Sequence, residues 1–340
     1  MITNLSPDAP RVVAALRHLR RVQRRRWILL GVGGVAVALA ARMPTGPDVA
    51  LEETVVVQAP AALAAPVLAD GSHARVDFWV DRFSTRQREV FQRLLQNRGR
   101  YEVMIRRKLE ARGLPQDLIY LALIESGFEE DAVSWAGAVG LWQFMPATAR
   151  AYGLRVDAVV DERLDPVKST DAALDYLTDL YRRFDSWYLA AAAYNGGPTR
   201  VSRILKAHAG GRYGDEAIYW EVLDHLPVET AHYVPRLLAA RAVAREAARF
   251  GIDATPVDRY EYEVVWVAEP TRLVDVATAS GYPVEVLQEL NPHLITGRTP
   301  RVLEPWPLRV PTGASWTVAG TFHRGSESAA PNPVRMALVD

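Results

Sequence analysis

Cysteine is absent from the 340-residue chain. That absence removes disulfides, thiolate metal sites, a cysteine nucleophile and a lipid-modified cysteine together, and it suits either redox compartment. Net charge is lacking as well. The 40 Lys and Arg residues balance 40 Asp and Glu residues, so bulk charge offers nothing to hold a nucleic acid. Only seven histidines occur, scattered and without a His-x-x-x-His spacing, so no metal and no cofactor is implied. Strand signals are sparse from Val76 to Gly251. With nearly half its residues hydrophobic and length enough for two domains, the chain predicts a mainly α fold with a sizeable core. Long uncharged runs are also few, and two of them organise the rest.

The first runs from Trp27 to Ala41 behind a crowd of arginines, Arg11, Arg17, Arg20, Arg21, Arg24, Arg25 and Arg26, opposed only by Asp8. It is near the lower limit for a membrane span of ~17 to 25 residues and near the upper limit for a signal-peptide core. Ala38-Leu39-Ala40 would serve as a cleavage site, yet the basic region is longer than a signal peptide usually carries, which favours an uncleaved anchor. A buried soluble helix is the remaining alternative. Either membrane reading leaves 1–26 as a basic cytoplasmic N-terminus and 27–43 as anchor or signal segment, and exports everything after Pro44. The expected location is the periplasm or cell envelope, with the inner membrane as partner of the N-terminal segment. Residues 44–75, rich in Ala, Pro and Val, read as a linker.

The second run, Leu118 to Ile124, is apolar on every side and closes on Glu125. Such a run reads as a buried helix, and an acid at its end is costly unless it has a partner or a task. Burial favours the neutral acid and makes it able to donate a proton near neutral pH. An exposed position just past the helix is the alternative.

Around this run, residues 76–255 read as one helical domain. Ser84 is the expected N-cap of a helix carrying Val90, Phe91, Leu94 and Leu95, and a second helix with Tyr101, Met104, Ile105 and Leu109 stops at Gly113 and Pro115. Ser134 to Pro146 is a loop of small residues with Trp135, Trp142 and Gln143. Such a loop suits close approach to a sugar, or equally a tight core turn with aromatic plugs. Asp165-Pro166 opens a long helix. The helix Trp187 to Ala193 is expected to break at Tyr194-Asn195-Gly196-Gly197-Pro198, placing a phenol and a carboxamide on a Gly-rich turn. A composition shift near Pro256 marks a boundary. Residues 256–315 then read as a small β-α-α-β unit, and 316–340 as a disordered tail.

Glu125-Ser126-Gly127-Phe128, Gly140-Leu141-Trp142-Gln143-Phe144-Met145-Pro146, Ala193-Tyr194-Asn195-Gly196-Gly197 and Glu229-Thr230 with Tyr233-Val234 stand in this order along the chain. Together they resemble the four signatures of the soluble-lytic-transglycosylase-like domain. Asp161-Glu162-Arg163, Asp165-Pro166 and Trp142 make the membrane-bound lytic transglycosylase D type the most similar subgroup. The resemblance covers roughly residues 91–249. It implies a lysozyme-like helical catalytic domain acting on peptidoglycan glycan strands, with non-hydrolytic cleavage between N-acetylmuramic acid and N-acetylglucosamine to a 1,6-anhydro product. It also implies that Glu125 is the general acid and then the base, and that Ser126 bonds near the carboxyl or the acetamido group. Gln143, Phe144, Met145, Tyr194 and Asn195 would bind substrate, Tyr233 would approach Glu125, and Glu229 would be structural.

Ordinary glycosidases use two carboxyls. The possible seconds, Glu129, Glu130, Asp131, Asp161 and Glu162, lie in polar stretches that read as solvated faces. Substrate assistance by the 2-acetamido group would replace the missing nucleophile. A hydrolytic muramidase on the same fold and a non-catalytic wall-binding scaffold are the alternatives. The C-terminal unit resembles a LysM-type glycan-binding module in Leu287, Leu290-Asn291-Pro292 and Leu308-Arg309-Val310-Pro311. It departs at Glu269-Pro270, where a Gly-Asp pair normally opens the binding loop, so sugar binding and a packing role both stay open.

Overall fold

The structure, a computed structural model, describes residues 68–256 and 259–322. The basic N-terminus, the hydrophobic segment 27–43, most of the linker and residues 323–340 of the expected tail lie outside the described residues. Among the described residues no helix is long and apolar enough to cross a membrane. The fold is mainly α, as the scarcity of strand signals predicts, and all described residues belong to one compact unit.

Helix α1 (Ala74–Ser84) is capped by His73, whose Nδ1 accepts the Arg75 N–H at 3.1 Å. Ser84 does not begin a helix. It ends α1, its hydroxyl donating back to Val80 O at 2.7 Å, the back-bond that makes serine a competitor of helix continuation. Helix α2 (Arg88–Ala111) then runs unbroken where the sequence suggested two helices. Gly99 within it serves close approach, since a Cβ there would lie 2.3 Å from Pro256 Cβ. A 3-10 turn, Gln116–Leu118, leads into α3 (Ile119–Ser126), an eight-residue helix with seven buried positions. A helix so short draws its stability from packing.

Next come α4 (Pro146–Ala151), α5 (Pro166–Phe184), α6 (Trp187–Gly196), α7 (Pro198–His208), α8 (Ala217–Glu221) and α9 (Val228–Arg245). Asp165 caps α5 by accepting from Val167 N and Lys168 N, and Ser186 caps α6 by accepting from Leu189 N, as these side chains do at helix starts. Helix α6 continues through Tyr194 and Asn195, which therefore sit on its last turn and not on a Gly-rich loop. Helix α9 packs on α1, α3 and α6 and so becomes the axis of the large core.

The C-terminal unit pairs β1 (Glu263–Val267) antiparallel with β2 (Trp306–Val310), with Val265 opposite Leu308. Helices α10 (Leu273–Ser280), α11 (Val284–Leu290) and α12 (Ser315–Phe322) pack with this ribbon. Helix α12 falls where the sequence suggested a disordered tail. It is held because Val318 is buried in the second core. That core is small, as a unit of this length must be, and it is completed from outside. Val160 of the helical part lies in it, while Tyr260 and Leu290 are buried in the large core.

Candidate active site

Four chain segments converge on the end of α3. Gly127, in the left-handed region at φ 65°, ends the helix with its N–H on Leu123 O at 3.0 Å, the usual helix-stopping use of glycine. Phe128 follows at φ 62° with a buried ring. Two successive left-handed residues turn the chain sharply just past Glu125, and the second of them stores strain of about 1–2 kcal/mol.

The Glu125 side chain keeps partial access to solvent, and its Oε1 accepts the Tyr233 hydroxyl at 2.6 Å. Burial pushes its pKa up from 4.5 to about 7. The Tyr233 hydrogen bond and the Arg236 guanidinium favour the carboxylate, while the negative charge of Glu229 opposes it. A carboxyl poised near neutrality can both give and take a proton at ordinary pH. Tyr233 is buried, and burial together with Glu125 holds its phenol well above the usual range, so it stays a donor.

The loop 132–145 comes second. Val139 and Phe144 exchange backbone hydrogen bonds at 3.1 Å each way, and Gly140 N donates to Ala132 O at 2.9 Å. Gly140 has φ 83°, and a Cβ there would stand 2.0 Å from Arg163 O. Gln143 also lies in the left-handed region, at φ 49°. Its Nε2 donates to Gly140 O at 2.9 Å and Ala132 O at 3.2 Å. Both amide protons being engaged, only its Oε1 is left to accept from a ligand. Phe144 is buried against the edge of Tyr194, with ring centroids 6.4 Å apart, and Met145 is the half-buried cap of α4. Trp142 turns out to be a core plug: fully buried, with Nε1 on Thr170 Oγ1 at 2.9 Å. Trp135 is the exposed tryptophan of this loop.

The last turn of α6 supplies Tyr194 and Asn195. The Tyr194 hydroxyl donates to Trp142 O at 2.8 Å, and burial followed by the Glu125 charge raises its pKa well above 10. Asn195 is gripped at both ends by α9. Its Nδ2 donates to Glu229 at 3.0 Å, and its Oδ1 accepts the Thr230 hydroxyl at 2.8 Å. Ser126 is buried with its hydroxyl on Leu141 O at 2.8 Å and near Ala122 O at 3.2 Å. It therefore ties α3 to the loop. Glu125, Tyr233 and Tyr194 are thus brought together, whereas the polar groups of Ser126 and Asn195 are engaged within the protein.

Two residues at the site were not among those the sequence reading assigned to it. Arg236 donates to Ile124 O at 3.3 Å and lies over the Trp79 ring at 5.2 Å. Its signal was positional, since Glu229, Tyr233 and Arg236 fall at i, i+4 and i+7 on one face of α9. Arg163 is the other. It forks onto Asp161 at 2.9 and 2.7 Å and donates from Nη1 to Gly137 O at 3.0 Å and Phe144 O at 3.2 Å. Asp161 and Glu162, expected on a solvated face, are buried. Charged side chains are buried only when paired: Asp161 is held by Arg163, and Glu162 by Lys168 Nζ and by Arg155 N at 2.7 Å. Neither is free to serve as a second catalytic carboxylate. Among the described residues no cluster of His, Asp and Glu is arranged to hold a metal.

Residues 102–213 match the Transglycosylase SLT domain family. The membrane-bound lytic murein transglycosylase D of Escherichia coli (strain K12) is 35% identical over 194 residues, which are 56% of this chain and 42% of that protein. The peptidoglycan transglycosylase gp16 of Escherichia phage T7 is 38% identical over 117 residues, 33% of this chain and 9% of that one. This chain therefore spans less than half the length of either relative. Among solved structures, the 70 kDa soluble lytic transglycosylase of Escherichia coli aligns with TM-score 0.38 and 26% identity, covering 54% of this chain and 30% of that one.

Proposed function

We propose that this chain, which carries a Transglycosylase SLT domain at residues 102–213, is a peptidoglycan lytic transglycosylase of the cell envelope. The names of its relatives support the substrate class. The observation that carries the chemistry is the single carboxyl Glu125, raised to about 7 by burial and hydrogen-bonded by Tyr233 at 2.6 Å.

In this reading the neutral Glu125 protonates the glycosidic oxygen, and the bond from that oxygen to C1 of the muramic acid breaks. The 2-acetamido oxygen bonds to C1 in its place. The Glu125 carboxylate then takes the proton of the C6 hydroxyl as O6 attacks C1 and displaces the acetamido oxygen. A 1,6-anhydro ring results, no water enters, and the acid is restored. The Gln143 carbonyl, left free by its engaged amide protons, would accept the acetamido N–H. Tyr233 steadies the carboxylate between the two proton transfers, and the Arg236 charge favours it. Glycosidases with two carboxyls keep them ~5 to 9.5 Å apart. Of the other carboxyls, Glu229 is the one whose charge bears on Glu125, and it is tied to Asn195. An uncleaved anchor at residues 27–43 would hold the enzyme at the inner membrane.

Mass spectrometry of peptidoglycan digested by the described part of the chain tests the reading. Anhydro-muropeptides are the expected product. Reducing ends would show a hydrolytic muramidase, and the absence of soluble product would leave a binding scaffold. Glu125→Gln is expected to keep glycan binding and lose cleavage, since the amide preserves shape without a transferable proton. Turnover near wild type in that variant would refute the role of the acid.

A further inference from the structure

The segments of the C-terminal unit that resemble a LysM module do not face outward. Asn291 and Arg309 are 1% and 8% exposed, and Leu308 and Val310 are fully buried. Asn291 clamps β2, its Nδ2 donating to Arg309 O at 2.7 Å and its Oδ1 accepting Arg309 N at 3.0 Å. Arg309 Nη2 then donates to both Asp165 oxygens, at 2.8 Å each. It also donates to the Tyr260 hydroxyl at 3.2 Å and lies over Tyr262 at 5.1 Å. Asp165 is the cap of α5. Beside it, His293 Nδ1 stands 3.4 Å away, and His293 O accepts Asp161 N at 2.9 Å. One short segment, residues 161–168, is therefore gripped from the C-terminal unit by a backbone hydrogen bond and a buried ion pair.

The other side of that segment holds the loop at the active site. Asp161 receives the Arg163 fork, Arg163 Nη1 reaches Gly137 O and Phe144 O, and Arg163 O occupies the space that a Cβ on Gly140 would need. On α5, Thr170 accepts from Trp142, whose carbonyl accepts the Tyr194 hydroxyl. From Arg309 to Gln143 the connection is continuous in buried, charge-assisted or backbone bonds. Such bonds are stiff because their loss leaves a desolvated charge unpaired.

We propose that Arg309 is a positioning residue for the glycan-binding loop, and that the C-terminal unit works as a fixed brace of the active site through Asp165, Asp161 and Arg163. The unit thereby completes the catalytic part of the chain instead of recruiting glycan at a separate site. The kinetic side of this inference rests on the transglycosylase reading, and its structural side does not.

The test uses the full chain with Arg309→Met and Arg163→Lys, and Arg272→Ala as control, because Arg272 pairs with Asp275 on the exposed face of the same unit. Arg163→Lys leaves the unit docked and removes the fork that Lys cannot reproduce. With a soluble glycan oligosaccharide, KM is expected to rise at least tenfold in both variants while kcat stays within threefold. A loop that holds substrate poorly weakens binding, whereas a lost folded fraction lowers kcat and leaves KM alone. Amide exchange is expected to quicken at Val139 and Phe144 and to stay unchanged at Val234 and Leu237 of α9. Wild-type KM in Arg163→Lys overturns the proposal, even if Arg309→Met fails to fold. So does loss of kcat at constant KM, or unchanged exchange at Val139 and Phe144. If the wild-type chain cleaves no glycan, the proposed function falls while the exchange measurement still decides the brace.

Discussion

Glu125 needs opposite influences at once. Burial makes it an acid, and Tyr233 and Arg236 keep its carboxylate accessible. A hydrogen bond to a charged group is worth about 1.5–3 kcal/mol, and each pKa unit corresponds to about 1.4 kcal/mol. Removing the Tyr233 hydroxyl therefore lifts the Glu125 pKa by roughly one unit or more. The wild-type kcat/KM profile is expected to have its alkaline limb near pH 7, where Glu125 loses its proton, and in Tyr233→Phe that limb is expected to move upward while the maximum rate falls. A limb that stays in place would show that the phenol does not tune the acid. Stability carries a second sign. Because the folded pKa is raised, the unfolded chain ionises first, and stability drops as pH rises from 4.5 through about 7. Glu125→Gln removes that loss, so it should be more stable than wild type at pH 8 by on the order of 2 kcal/mol and equal to it at pH 4. Thermal unfolding at the two pH values measures the difference.

Among the elements, α9 is the one whose irregularity serves the site. Pro235 lies inside the helix and has no N–H for Ala231 O. The buried Tyr219 hydroxyl fills the place, 3.1 Å from Ala231 O and 3.2 Å from Thr230 O. The proline therefore bends no backbone group into an unpaired state beside Tyr233 and Arg236. Tyr219→Phe leaves that carbonyl orphaned, with an expected loss of about 1–3 kcal/mol in urea unfolding and no change in the pH profile. The loop 132–145 depends on a different economy, close approach. Gly140→Ala must fit a methyl 2.0 Å from Arg163 O at φ 83°, and since the strain of a left-handed residue adds to the overlap, about 3 kcal/mol or more is expected. Loss of glycan binding should accompany the destabilisation, because the same shift moves Gln143.

For the whole molecule, the junction between the helical part and the C-terminal unit is a buried ionic cluster. Burial works against the Asp165 carboxylate, but Arg309, His293 and the α5 amides overcome it and hold its pKa at about 2. Burial, Arg309 and Lys168 push His293 down to about 4 against the pull of Asp165. The signs agree. As pH falls through 6.5 the unfolded chain takes up the His293 proton first, and stability drops until about pH 4. Below the ordinary aspartate value of 3.8 the Asp165 contribution fades as well, down to about 2. Between pH 7 and pH 4 the unfolding free energy from urea titration should lose on the order of 3 kcal/mol through His293, offset in part by the opposite slope of Glu125, and His293→Asn should remove that loss. An unchanged slope in the variant would remove His293 as its cause.

How much of this was legible in the chain depends on the range of the interaction concerned. The buried helix ending at Glu125, the cap at Asp165, the strand of the small unit and the order of the motifs are local patterns, and periodicity or adjacent residues fix them. The misplaced features each needed a distant partner. The one helix Arg88–Ala111 read as two, because nothing local shows that Gly99 lies against Pro256. Asp161 and Glu162 looked solvated because Arg163 and Lys168 are close in sequence but the surface that buries them is not. Residues 316–322 looked like tail because only the second core gives Val318 somewhere to go. Composition alone settled that no thiol chemistry enters and that helices dominate, since those follow from residue types and short spacings. Tertiary structure decided that Tyr233, 108 positions away, bonds Glu125, and that Arg309 reaches Asp165 across 144. Packing in three dimensions sets burial and charge proximity, and these make a carboxyl an acid or an ion pair a brace.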